Sequence, residues 1–195
     1  MKRSKTKNIA LMAMFLTLAM VLPFLTGQIP AIGNMLLPMH LPVFLCGLIC
    51  GFPYGALLGF VTPLLRSALF GMPIFFPTAT AMAFELCAYG FFSGLFYRLF
   101  PRQNVGTLVL SLIFSMLIGR GIWGLVQYLQ LSLTGSSFTW ALFVSGAFLE
   151  AFPGIILQLT LIPLLLFALD KAGFVPFERR EKALYRREEK RDGRN

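Results

Sequence analysis

Four charged side chains interrupt otherwise apolar stretches of the chain: Arg66, Glu85, Arg120 and Glu150. A guanidinium grips a carboxylate or phosphate through paired N–H donors, and a carboxylate accepts from amine or hydroxyl groups. On insertion scales each such charge costs about 2.5–3.5 kcal/mol or more at the centre of a membrane helix, so charges that persist there pair or line a polar cavity. As structural ion pairs they would match as Arg66 with Glu85 and Arg120 with Glu150. Pairing leaves a ligand possible, because one guanidinium can serve a glutamate and a ligand carboxylate together.

Helical spacing groups further residues with these charges. Arg120, Trp123, Gly124, Gln127 and Tyr128 recur at i, i+3, i+4, i+7 and i+8, which is one face of a helix carrying cation, indole, amide and phenol. Glu150, Gly154 and Gln158 share a second face, and Thr78, Glu85 and Tyr89 are roughly aligned on a third.

The elements that must position these groups are membrane helices. The 195 residues are 57% hydrophobic and only 13% charged, against about 25% charged in soluble domains. An integral membrane protein is the class this composition permits. Apolar segments of spanning length run over about 9–26, 35–51, 54–70, 78–100, 105–131 and 138–169. The second is short and holds Pro38 and Pro42, which predicts an irregular outer end. The expected fold is therefore all-α, a bundle of six transmembrane helices over residues 9–170. A basic cytoplasmic N-tail (1–8) and a charged cytoplasmic C-tail (171–195) flank it. The first segment is expected to remain as an uncleaved helix, since no small-x-small cleavage site follows it.

Charge placement sets the orientation. With the N-terminus inside, Arg98 and Arg102 fall in the inner loop between the fourth and fifth segments. The outer stretches 27–40, 71–77 and 132–137 contain no Lys, Arg, Asp or Glu. This is the positive-inside pattern, with both termini cytoplasmic. The net charge of +9 comes from the two juxtamembrane tails, which favour anionic lipid and do not make a nucleic-acid surface. At about 1.5 Å of rise per residue, Arg66 lies about 6 Å below the outer end of its helix, Glu85 about 10 Å, and Arg120 and Glu150 roughly 16 Å. The charges thus outline a polar centre that opens outward.

Several chemistries lack their residues. No G-x-x-x-x-G-K-[ST] loop is present, so any ATP hydrolysis belongs to partner subunits. Cys46, Cys50 and Cys87 lie in apolar runs and read as packing residues. The single histidine, His40, falls in an outer loop and gives neither a metal site nor an intramembrane catalytic pair. No H-E-x-x-H occurs. The expectation is a non-enzyme with neither cofactor nor metal.

Gly47, Gly51, Gly55 and Gly59 in "GLICGFPYGALLGF" follow one another at four-residue intervals around Pro53. Small residues at that spacing let membrane helices approach closely, and Gly-x-Pro-x-Gly makes a tight inner hairpin. This hairpin resembles the glycine–proline turn between the second and third helices of the substrate-binding S-components of energy-coupling-factor (ECF) vitamin transporters. There Gly and Pro are usually adjacent; here Phe52 stands between them. Chain length, helix number, inside termini and the missing nucleotide motif are similar as well, over about residues 9–170.

The resemblance implies that the chain binds a small water-soluble vitamin or precursor from outside. It would then join a shared transmembrane scaffold subunit and two cytosolic ATPases, and rotate to release the substrate inside. Family members contact the scaffold through Ala-x-x-x-Ala on the first helix; here Ala13 and Thr17, with Ala10 near that face, occupy those positions. Substrate contacts are expected from Arg66, Glu85, Arg120, Trp123, Gln127, Tyr128 and Glu150, with Asn34 from the outer stretch "GQIPAIGNMLLPMH". That stretch and "GMPIFFPT", with Phe75 and Phe76, can fold over a pocket. Pantothenate is the first candidate, with folate, riboflavin, cobalamin and a queuosine precursor open. The competing class is a structural membrane protein of the cell-shape (MreD-like) type, which has no use for two buried outward-facing arginines.

Overall fold

The computed structural model describes residues 5–26, 35–100, 104–135 and 139–171. Among them every regular element is helical. The helices are α1 (Lys5–Val21), α2 (His40–Cys50), α3 (Phe52–Phe70), α4 (Thr80–Leu99), α5 (Val105–Leu133), α6 (Trp140–Val144) and α7 (Phe152–Lys171). Among the described residues four stretches are long and apolar enough to cross a membrane: Lys5–Leu25, Phe75–Leu99, Val105–Leu133 and Phe152–Lys171. α2 has 11 residues, fewer than the roughly 17–25 a spanning helix needs.

Three boundaries differ from the sequence expectation, each for a backbone reason. The α-helical part of α1 stops at Val21, and Leu22–Thr26 continues as a 3-10 helix, because Pro23 has no N–H to donate into the preceding turn. The second segment is helical at Met35 and Leu36, breaks over Leu37–Met39 and resumes as α2 at His40. Leu37 takes the left-handed region at φ 51°, and its carbonyl accepts the His40 amide at 3.0 Å. The third correction concerns the sixth segment, which is two pieces. Past α6 the chain widens over Ser145–Leu149, with the Glu150 amide bonded to the Ser145 carbonyl at 2.9 Å. α7 then starts at Phe152 with Pro153 in its first turn, a position where the missing N–H leaves no helical bond unmade.

α4 is the central helix, packing on α2, α3 and α5. Within its span 56% of the most apolar window is buried, against 17% for α1 and 22% for α7. The glycines explain how three backbones share one place. A Cβ on Gly90 of α4 would collide with the Gly55 carbonyl of α3, and one on Gly47 of α2 would collide with the Gly90 carbonyl. Only hydrogen-sized side chains allow that approach. Between α2 and α3, Gly51 has φ 106°, a conformation that favours glycine, and its carbonyl takes the Tyr54 and Gly55 amides at 3.1 Å each. α5 is started by a reciprocal cap, the Asn104 side chain accepting from the Thr107 amide at 2.8 Å while the Asn104 amide donates to the Thr107 hydroxyl at 3.0 Å.

Candidate polar centre between α2, α4 and α5

Glu85 and Tyr89 are four residues apart on α4 and so share a face. The Tyr89 hydroxyl donates to Glu85 Oε1 at 2.7 Å. From α5, Arg120 Nη1 meets the same oxygen at 2.9 Å. Gly119 lets this happen: a Cβ there would run into the Tyr89 ring, so the phenol lies against the α5 backbone beside Arg120. On its other side Tyr89 stacks on Phe44 of α2 (ring centroids 5.0 Å apart, interplanar 21°) and meets the His40 ring at 5.5 Å. Glu85, Tyr89, Arg120 and His40 are all buried.

The centre is incompletely satisfied. Among the described residues Arg120 Nε and Nη2 have no hydrogen-bond partner, and neither ring nitrogen of His40 has one. More than about 90% of buried polar groups in folded proteins are paired, and each one left unpaired costs about 1–3 kcal/mol. Four such atoms around one buried ion pair are unusual for a purely structural contact. Further along α5 the Gln130 amide nitrogen donates to the Thr80 hydroxyl at 2.8 Å, and Thr80 donates to the Pro77 carbonyl at 2.9 Å. The side-chain oxygens of Gln127 and Gln130 are buried without partners among the described residues.

The pairings left open by the sequence are therefore neither of the two it suggested. Arg120 takes Glu85 in place of Glu150, and Arg66 takes no carboxylate among the described residues. Arg66 Nη1 instead donates to the Met20 carbonyl at 2.6 Å, with its guanidinium 5.0 Å from the Phe24 ring centre and 5.2 Å from that of Phe70. It thereby supports the end of α1 where Pro23 interrupts the helix. Glu150 is exposed at the break before α7 and accepts from the Ser145 hydroxyl at 3.3 Å. The predicted α5 face also divides. Tyr128 lines an open apolar groove of about 310 Å³ with Gly121, Gly124, Leu125, Trp140 and Phe143, and Trp123 stacks on Phe143. Phe75 and Phe76 are exposed. Asn34 lies outside the described residues.

The sequence passed over two members of this neighbourhood, His40 and Gln130. His40 opens α2 and is 1% exposed, where it was expected in an outer loop. Its i, i+4 relation to Phe44 was the available signal. Gln130 lies three residues after Gln127, on an adjacent line of the same helix. On α1, Ala10, Ala13 and Thr17 are exposed, and the Thr17 hydroxyl is satisfied within the helix by the Ala13 carbonyl at 3.1 Å. Among the described residues no group of three or more His, Cys, Asp or Glu could hold a metal ion.

Apolar helices of spanning length packed around a buried polar centre define a multi-pass membrane protein. Residues 7–166 match the family model described as ECF transporter, substrate-specific component. The chain belongs to that family and is a transport subunit of the membrane. No curated protein and no solved structure matches it.

Proposed function

We propose that this subunit captures a small water-soluble vitamin or vitamin precursor at the Glu85–Arg120 centre. It then delivers the solute into the cell together with a shared transmembrane scaffold subunit and two cytosolic ATPases. In this reading the chain crosses a bacterial plasma membrane six times with both tails cytoplasmic, so the centre is reached from outside. Pantothenate is the first candidate substrate. The observation that carries the proposal is the state of Arg120: its ion pair uses Nη1 alone, while Nε and Nη2 are buried and unpartnered among the described residues. The exposed small residues Ala10, Ala13 and Thr17 on α1 suit close docking against the scaffold.

Native mass spectrometry of the gently purified protein tests this, by looking for a co-purified small molecule. The expected result is one bound species of vitamin-like mass, absent from Arg120→Ala. A spectrum that stays ligand-free after a panel of water-soluble vitamins is added would count against solute capture and favour a structural role in the membrane.

A further inference from the structure

The unpartnered polar atoms of the centre and of the neighbouring α5 face are sorted by kind. At Arg120 they are donors, Nε and Nη2, which form the side-on edge of the guanidinium once Nη1 is committed to Glu85. At Gln127 and Gln130 they are acceptors, the two amide oxygens. For Gln130 the assignment follows from its neighbours. The Thr80 hydroxyl hydrogen is used on the Pro77 carbonyl, so its oxygen must accept, and Gln130 must present its nitrogen to it. Arg120 and Gln127 are seven residues apart on one face, about 10 Å along the helix axis. The His40 ring lies beside Tyr89, within electrostatic reach of Arg120.

We infer that the ligand of this site is an elongated acid held in one direction along α5. Its carboxylate or phosphate takes the Nε/Nη2 edge of Arg120 next to His40, and an N–H or O–H donor about 10 Å away takes the Gln127 and Gln130 oxygens. This rests on the solute-binding proposal and adds to it the polarity and length of the solute. A flat cation, or a molecule with acceptors at both ends, leaves one group of buried atoms unpaired, and sites built to hydrogen-bond reject analogues lacking the partner strongly.

The test uses the full chain in lipid nanodiscs and reads ligand-induced thermal shifts and affinities. The probes are pantothenate and biotin, each an acid with donors at the far end, panthenol and biotinamide as their uncharged counterparts, and thiamine as a cation. At least one acid is expected to bind, with its counterpart weaker by about 100-fold. The double variant Glu85→Gln/Arg120→Gln, which strands no buried charge, should bind acid and counterpart alike. Gln127→Leu should weaken both by about tenfold and keep the preference for the acid. Thiamine binding to the wild type, or equal affinity for an acid and its counterpart, would overturn the inferred polarity while leaving solute capture standing. No shift with any of these probes would overturn the inferred acid, while solute capture itself is decided by the wider vitamin panel.

Discussion

Arg120 and Tyr89 converge on a single oxygen of Glu85, at 2.9 and 2.7 Å, across the contact between α4 and α5. One carboxylate thus fixes both a cation and a phenol, and the remaining edge of the cation is held in a defined direction. That is the geometry a recognition site requires, since a guanidinium whose rotamer is already set loses little entropy on meeting a ligand.

Removing one partner of this pair should be worse than removing both. Glu85→Gln and Arg120→Gln singly are each expected to destabilise by about 3–5 kcal/mol, because each strands a buried charge. The double variant should recover much of that. Thermal melts of the three variants in one detergent check the order; equal losses in singles and double would show that the pair contributes no coupling.

Arg66 should separate from Arg120 in function. Arg66→Ala deletes the donor to the Met20 carbonyl and both contacts with Phe24 and Phe70. A loss of about 1–3 kcal/mol in stability is expected, with the co-purified solute retained. Arg120→Ala should lose the solute. Comparing bound-ligand occupancy with melting temperature in the two variants distinguishes the roles.

The glycine crossing gives a sharp contrast between two α-helical glycines. Gly90→Ala places a methyl on the Gly55 backbone, whereas Gly121→Ala meets nothing within 4 Å. The first is expected to destabilise by about 1–3 kcal/mol, as overpacking does, and the second by nearly nothing. Yield and melting temperature in detergent report both.

The outer face of α1 supplies a test of assembly apart from binding. Ala13→Leu adds bulk at an exposed position, so stability and solute affinity should match the wild type. Uptake into cells that carry the scaffold and ATPases is expected to fall at least about tenfold if small residues there permit close helix contact. Unchanged uptake would place the docking surface elsewhere.

Much of the frame was readable because it follows local rules. Gly51 and Pro53 announced the α2–α3 turn, and the four-residue glycine spacing announced close packing, seen at Gly47, Gly55 and Gly59. The four charges that interrupt apolar stretches were visible as such, and three of them, Arg66, Glu85 and Arg120, are buried. Their partners were not readable, since pairing depends on how each helix is rotated and spacing along one helix says nothing of its neighbour's rotation. Glu150 lost its expected place because Pro153 splits the sixth segment, so the single long helix used to gauge its depth does not exist. His40 was misjudged because prolines at 38 and 42 suggested loop, whereas the turn ends early and the imidazole starts a buried helix.

Gly90 and Gly94 lie on the side of α4 that meets α2 and α3, while Glu85 faces Arg120 on α5. Close packing and the proposed recognition therefore fall on different sides of one helix. On the proposed reading, substitutions on the α5 side retune which solute is accepted while the glycine side keeps the same packing. A chain built this way can diversify its cargo by drift without first having to reinvent its fold.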